Sequence, residues 1–262
     1  MNQRFAIVRT ILEPLAVETL RRAFCGIPGM ASYDASMVCN ESDGILCRNF
    51  SPDQAAALQA NLKAEGVDVK IVDESQLPVL PPGKIIRWIQ IKPEALVVED
   101  LLKGQIAIAW EQVRLIAAGS VQLAKISRDK KVTEQVKVNY AHVLYGGVPL
   151  PHRETKVEYS AKESMDWFLR AELILAGDAI RYSLEAENFN FNPLGEAVTT
   201  ELAGNFCLLV RGLAAHAPKA RMNRGVKAIV SDACEFVYYP RKNAFLDELV
   251  WLLWRAQEER RE

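Results

Sequence analysis

The stretch DWFLRAELILAGDAIRYSLEAE, residues 166–187, decides how the second half of this chain folds. Apolar and polar residues alternate on both sides of Gly177-Asp178, which predicts a β-hairpin with a two-residue type II′ turn. The apolar face then pairs Leu175 with Ile180, Leu173 with Tyr182 and Ala171 with Leu184. The same register sets Arg170 opposite Glu185 as a favourable cross-strand pair, on a face that we expect to meet solvent. Because a shift of one residue would spoil the turn, the alternation and the charge pairing together, the sequence predicts one register.

The composition of the chain is that of an ordinary globular protein. Half of its residues are hydrophobic and a quarter are charged, which predicts a full core. Its length of 262 residues exceeds the usual size of one domain, so we expect two domains, with one large β-rich domain as the alternative. A formal net charge of −1 indicates no global field for nucleic acid or a membrane. The five cysteines have no CxxC spacing, so we expect reduced thiols and neither a disulfide framework nor a zinc site.

The sequence predicts a cytoplasmic protein. Its apolar N-terminal run is interrupted by charge and by Pro14 before a signal-peptide core could form. No apolar stretch approaches the roughly 20 residues that a membrane-spanning helix requires. We therefore expect no membrane span.

Residues 1–76 are predicted to form a ferredoxin-like domain. Strands are expected at 5–9, 44–50 and 67–71, and a helix is expected to run from Pro14 to about Phe24. A second helix begins at Ser51-Pro52, where Gln54 completes a capping box. A less clear strand within 30–38 would complete the order β-α-β-β-α-β, the ferredoxin-like order.

The segment LPVLPPG, residues 77–83, is predicted to be a linker. Three prolines in five positions make a stiff, extended spacer that a helix or a central strand would not tolerate. We place the domain boundary here, so that residues 84–262 form the second domain.

The second domain is predicted to be rich in β-strands and closed by a C-terminal helix. Strands with a period of two run from 84 to 126, and an irregular, charged insertion follows near 127–163. A helix is expected over 200–216, where Pro218 stops it. The last helix, from Asn243 to about Arg260, is apolar around more than half of its circumference, so it must be buried on more than one side. We expect it to cover the open end of the sheet.

Two resemblances follow from particular passages. The strand–WEQ–strand passage IAIAWEQVRLIAAG, residues 106–119, resembles the corresponding signature of bacterial pleckstrin-homology-like domains, and the similarity covers 84–126 and 165–258. The helix over 200–216 departs from that plan. The passages ENFNFNPLGE, NFCLLVRGLAAHAP and NRGVKAI resemble uncharacterised bacterial proteins over most of the chain, which implies no activity. Pleckstrin-homology-like domains mostly bind lipids, peptides or proteins, so the first resemblance implies a binding protein.

The candidate binding site is a group of basic residues that no acidic residue interrupts: Lys219, Arg221, Arg224 and Lys227. A second basic group surrounds Asp129: Lys125, Arg128, Lys130 and Lys131. Each group is either a solvated surface or a site for phosphate, nucleic acid or an acidic partner. No aromatic residues are interleaved with either group, which disfavours nucleic-acid stacking.

No residue pattern indicates a catalytic site, a metal or a cofactor. His142 and His152 lie in the irregular segment without the spacing of metal ligands, and His216 is expected to interact with the end of its helix. Cys39 and Cys47 bracket an acidic loop, but no histidine is near them in sequence. No P-loop, GxGxxG or GxSxG motif is present.

The sequence thus favours a non-enzymatic binding or assembly protein. Its partner would be a protein or an anionic ligand, bound at the groove between the domains or at the basic surface near 219–227. The alternative is an enzyme or a small-ligand sensor with a cleft between the two domains, using Cys or His residues. The oligomeric state is left open.

Overall fold

The structure, a computed structural model, shows an α+β fold. It describes residues 3–12, 15–30, 36–38, 44–100, 104–139, 150–177, 179–231 and 235–261, with the backbone alone for 100, 125–139 and 150–163. The contacts divide the chain into two units. The first comprises Met1–Gln122 with Trp167–Glu262, and the second comprises Leu123–Asp166.

The first unit begins with a three-stranded antiparallel sheet and two helices. Its elements are β1 (Phe5–Arg9), α1 (Val17–Phe24), β2 (Ile45–Phe50), α2 (Pro52–Ala64) and β3 (Val69–Asp73). The strand order is β2-β1-β3, with β1 antiparallel to both neighbours. The strand expected within 30–38 falls mostly outside the described residues, and residues 36–38 are helical.

Helix α2 forms as its sequence predicts. The hydroxyl of Ser51 accepts from the backbone N–H of Gln54, and the Gln54 side chain accepts from the backbone N–H of Ser51. This reciprocal capping box satisfies two donors that the first turn leaves free. Ala55, Leu58 and Leu62 are completely buried, so the apolar face predicted for this helix is confirmed.

Two further sheets share one core with two helices. A three-stranded meander joins β5 (Ile89–Ile91), β6 (Ala95–Asp100) and β7 (Gly104–Ala109). The larger sheet is formed by β4 (Gly83–Ile86), β8 (Val113–Asn139), β9 (Leu150–Leu175), β10 (Arg181–Glu185) and β11 (Arg221–Met222). Its strand order is β11-β8-β9-β10-β4. A further short strand, β12 (Tyr238–Tyr239), also pairs with β8. The core cluster between them contains side chains of α3 (Leu202–His216) and α4 (Arg224–Val230). The predicted helix over 200–216 is confirmed as α3.

The hairpin register predicted from 166–187 is confirmed. Strand β10 pairs with β9 so that Tyr182 faces Leu173 and Glu185 faces Arg170, and the N–H of Leu175 donates to the carbonyl of Ile180 at 3.1 Å. Gly177 has a φ of 84°, in the left-handed region that favours glycine. Asp178 lies outside the described residues, so the type II′ turn stays a prediction.

The polar face of this hairpin is buried, and the expectation that it meets solvent is wrong. Arg170 and Glu172 are 5% and 1% exposed. The guanidinium of Arg170 donates to Glu185 at 2.7 Å and to the hydroxyl of Ser183 at 3.1 Å, and Ser183 donates to Glu172 at 2.5 Å. Arg181 lies 3.7 Å from the second oxygen of Glu172. Two arginines and two carboxylates thus compensate one another within the fold.

The edge of β8 is covered by two short parallel strands separated by a helix. Strand β11 pairs with Leu115 and Ile116, and β12 pairs with Ser120 and Val121. Between them the backbone of α4 approaches β8 so closely that a Cβ atom on Gly225 would lie 1.7 Å from the carbonyl oxygen of Ala118. Only glycine fits at this position.

The last helix, α5 (Lys242–Glu258), is buried on several sides, as its sequence predicts. Trp251 and Trp254 are 8% and 3% exposed. The indole N–H of Trp251 donates to the carbonyl of Arg9 at 2.7 Å, so α5 packs against the N-terminal sheet. On its other side Phe245 contacts the ring of Tyr239 in the larger sheet, with 5.0 Å between ring centroids. Helix α5 therefore packs against both the N-terminal sheet and the larger sheet.

The two-domain division at residues 77–83 stays a prediction. Contacts of α5 join residues from both sides of this boundary, including ion pairs of Arg48 with Asp247 at 2.6 Å and of Lys70 with Glu258 at 3.2 Å. The described part of the segment near 127–163, expected to be irregular, consists of strand residues in β8 and β9. Among the described residues, no helix is long and apolar enough to cross a membrane.

Gly225→Ala should strongly destabilise the protein. The new methyl group would meet a backbone carbonyl, which cannot turn aside, so we expect a loss of about 1–3 kcal/mol or more. Thermal denaturation should show a fall in Tm of roughly 2–4 °C for each kcal/mol. Gly204→Ala is the matched control, because its nearest contact would be 3.6 Å away in the first turn of α3. That variant should gain up to about 1 kcal/mol; an equal loss in both variants would contradict the close approach.

Glu172→Gln should change how stability depends on pH. Burial raises the pKa of Glu172 above its usual 4.5, against the opposing effects of Ser183, Arg181, Arg170 and Lys242. A raised pKa means that the folded state binds the carboxyl proton more tightly than the unfolded state does. This tighter binding stabilises the fold fully below pH 4.5, and the stabilisation is lost as pH rises through the folded-state pKa. Between pH 4 and pH 8, the Tm of the variant minus the Tm of the native protein should therefore increase as pH rises. Exposed Glu196→Gln makes the same charge change and should leave that slope as it is; identical slopes in all three proteins would refute the effect.

Candidate functional site

A groove of 380 Å³ lies where the segment after β1 meets β11, α4 and α5. Its lining is partly apolar and partly charged. The residues that line it are Thr10, Ile11, Leu12, Arg221, Met222, Arg224, Lys227, Glu248, Trp251, Leu252, Arg255 and Glu259. We call this feature the cationic groove.

The cationic groove carries more positive than negative charge. Three of its cations, Arg221, Arg224 and Lys227, are candidates predicted from the sequence, and α5 adds Arg255. Glu248 and Glu259 are the only carboxylates among its described lining residues, which leaves two positive charges in excess. The whole chain has a formal charge of −1, so this excess is a local property of the groove.

Asn223 fixes the segment that carries these cations. Its side-chain oxygen accepts from the backbone N–H of Val226 at 2.9 Å, which caps α4, and from the N–H of Ala118 at 3.0 Å. Its side-chain N–H groups donate to the carbonyl of Ala118 and to the hydroxyl of Tyr239, both at 3.0 Å. The amide thus pairs with β8 as a strand backbone would, and it is completely buried. Arg221 and Arg224 are therefore held on either side of a rigid anchor.

Glu248 is a structural carboxylate at the base of the groove. It is completely buried, and its oxygens accept from the backbone N–H of Arg224 at 2.8 Å and from the hydroxyl of Tyr239 at 2.6 Å. The side chain of Arg224 lies 3.6 Å from the same carboxylate. Because a buried carboxylate without such partners would destabilise the fold, the role of Glu248 is structural, and its oxygens are not available to a ligand.

Glu259 is a carboxylate of a different kind. It follows the last residue of α5, and its side chain is 46% exposed. Both carboxylate oxygens accept from the guanidinium of Arg221, and Arg255 lies 3.9 Å away. The hydrogen bonds from Arg221 lower the pKa of Glu259 below its usual range, with the charge of Arg255 adding to the effect.

The ammonium group of Lys227 is available to a ligand in the groove. It is exposed, and it forms no ion pair with any residue that the structure describes. The floor beside it is apolar, formed by Trp251 and Leu252, which are 8% and 7% exposed. An amphipathic anion would therefore meet a charged rim and an apolar floor.

The structure separates Lys219 from the other three predicted residues. Lys219 lines a smaller cavity of 180 Å³ together with Trp110, Glu111 and His216. The ring of His216 lies 5.1 Å from that of Trp110, and its Nδ1 is 2.9 Å from the carbonyl of Gly212. As expected for its place at the end of α3, this histidine bonds to its own helix.

Sequence reasoning missed the rest of the groove. Residues 10–12, Trp251 and Arg255 are far from 221–227 along the chain, and no local pattern connects them. The apolar circumference of the last helix was the only indication that α5 touches more than one element.

The structure describes only two of the cysteine and histidine side chains considered as candidates, Cys47 and His216, and these two line different cavities. Cys47 is half-buried and lines a cavity of 390 Å³ that also includes Met30 and Met37. Cys39 and His142 lie outside the described residues, as do the side chains of His152 and of the basic group around Asp129. Within the described part of the chain, no cluster of three or more His, Cys, Asp or Glu could hold a metal.

Tyr239→Phe tests the anchor of the groove. The substitution removes the hydroxyl that donates to Glu248 and accepts from Asn223, which leaves a buried carboxylate oxygen short of a partner. We expect a loss of about 1–3 kcal/mol in the free energy of unfolding, measured by urea denaturation. Tyr238→Phe is the control, since that side chain is 62% exposed and should change stability by less than about 0.5 kcal/mol. Equal effects would show that the hydroxyl of Tyr239 is not part of the anchor.

No protein-family model matches the chain, and no solved structure matches it.

Proposed function

We propose that this chain is a non-enzymatic binding or assembly protein that holds an anionic group of a partner in the cationic groove. The observation that carries the proposal is the convergence of four cations around one partly enclosed space: Arg221, Arg224, Lys227 and Arg255. Surface cations that lie farther apart than the Debye length, about 8 Å at physiological salt, are screened and do not act on the same ligand. Cations around a groove act on the same ligand, so their contributions combine.

The shape and chemistry of the groove support a small anionic element rather than a long nucleic acid. Its 380 Å³ falls within the range of about 300–1,000 Å³ for small-ligand pockets. Guanidinium groups bind carboxylates and phosphates through two parallel hydrogen bonds, which fixes the orientation of the ligand. Trp251 and Leu252 supply an apolar floor that can hold an adjoining apolar side chain.

The architecture belongs to the same proposal. In the N-terminal sheet the central position of β1, between β2 and β3, supports a ferredoxin-like arrangement. We propose that residues 84–262 form a pleckstrin-homology-like domain, and that the protein acts in the cytoplasm of a bacterium. Both folds commonly serve as scaffolds for binding.

The alternative of an enzyme in a cleft finds less support. It would require a nucleophile or an acid–base residue, whereas the described lining of the groove contains neither cysteine nor histidine. The carboxylate at its base, Glu248, already accepts hydrogen bonds from Tyr239 and Arg224.

A binding assay with charge-neutralised variants tests the proposal. The probe is a short fluorescein-labelled peptide of alternating glutamate and leucine, followed by fluorescence anisotropy at low and at physiological salt. The native protein should bind this peptide, and added salt should weaken the binding. Arg221→Gln combined with Lys227→Gln should weaken it about five- to ten-fold, the size expected from losing two partly exposed cations.

Lys219→Gln is the matched control. It neutralises a cation only two residues from Arg221, yet that cation lines the other cavity, so affinity should be unchanged. Arg224 is left in place because its guanidinium lies beside buried Glu248, and its loss would disturb the fold. The proposal fails if the native protein binds neither this peptide nor pyrophosphate at low salt, or if Lys219→Gln weakens binding as much as the double variant.

A further inference from the structure

We infer that the partner is recognised through a carboxylate, and that Glu259 occupies the position of that carboxylate in the free protein. The inference rests on the proposed function and specifies the chemistry of the ligand. The groove would then bind an acidic protein segment, and the chain's own glutamate would compete with it.

The contacts of Glu259 are those that an incoming carboxylate would make. Nη1 of Arg221 donates to Oε1 of Glu259 at 3.4 Å, and Nη2 donates to Oε2. This two-point contact is the geometry in which a planar guanidinium binds a planar carboxylate. Arg255 approaches the same carboxylate from α5, so a single carboxylate lies between two guanidinium groups in the groove.

Glu259 is also the carboxylate that can leave. Its side chain is 46% exposed and lies just past the end of α5, whereas Glu248 is completely buried and bonded to Tyr239. Exposed ion pairs are weak because water and salt compete for both charges, so a partner can displace Glu259. Once Glu259 has left, the guanidinium of Arg221 can bind the carboxylate of the partner in its place.

The surroundings favour an acidic residue with an apolar neighbour over a free anion. Met222, Trp251 and Leu252 line the groove beside the guanidinium groups. A free inorganic anion would leave this apolar surface uncovered, whereas a peptide can place a carboxylate on Arg221 and an apolar side chain on the floor. Burial of that apolar side chain removes it from water and so adds to the affinity.

Glu259→Gln tests the inference, and Glu258→Gln is its matched control. Both variants remove one negative charge at adjacent positions, but Glu258 pairs with Lys70 at 3.2 Å and with Arg261 at 3.1 Å and does not line the groove. With the same labelled Glu/Leu peptide, Glu259→Gln should bind about three- to ten-fold tighter than the native protein. Glu258→Gln should show at most a small gain from the change in net charge.

The outcomes separate the inference from the proposed function. If the native protein binds the peptide but both variants bind it equally well, Glu259 is not a competitor, and only the inference fails. If the native protein binds neither the peptide nor pyrophosphate at low salt, the proposed function fails, and the inference fails with it.

Two further results would overturn the choice of ligand. The first is tighter binding of a peptide in which phosphoserine replaces glutamate, with a larger gain from Glu259→Gln, because it would assign the groove to phosphate. The second is dimerisation of Glu259→Gln in sedimentation velocity, because it would assign the groove to a second copy of the chain.

Discussion

The pairing of the Asn223 side chain with the backbone of Ala118 is the interaction on which the candidate site depends. A side-chain amide has one acceptor and two donors, so it can satisfy both groups of a strand residue and still donate to Tyr239. The same oxygen caps α4. One residue therefore closes the edge of β8, starts a helix and fixes the hydroxyl that holds Glu248. In a completely buried position these bonds are obligatory, since a lost partner would leave a desolvated polar group.

The two carboxylates of the groove, Glu248 within α5 and Glu259 just past its end, have surroundings that give them opposite roles. Glu248 lies on the buried side of the helix, where hydrogen bonds from Tyr239 and Arg224 compensate its desolvation. Glu259 lies beyond the helix end, where water competes with Arg221 for its oxygens. The first contact is strong because it is enclosed, and for the same reason it cannot exchange. The second is weak because it is exposed, which is what an exchangeable contact in a binding groove requires.

The parts of the fold that the sequence predicts are those set by local rules. The alternation of 166–187 and the Ser51 capping box each involve neighbours in sequence, and both form as expected. The burial of the polar hairpin face was not predictable in the same way. Alternation shows which residues share a face, but not whether another element covers it. Only the long-range packing decides that Arg170 and Glu172 lie inside, where Glu185 and Arg181 pair with their charges. Ser183 forms a hydrogen bond with each of them.

The same distinction explains why three of the four predicted basic residues reach the groove and Lys219 does not. Between Lys219 and Arg221 the chain enters β11, and from there the pairing with β8 and the cap at Asn223 set the direction of each side chain. Lys219 precedes that constraint and remains with the end of α3, near His216. A run of basic residues in a sequence thus marks a candidate segment, but the first strand contact decides which of its charges act together. In this protein that contact is the pairing of Arg221 with Leu115.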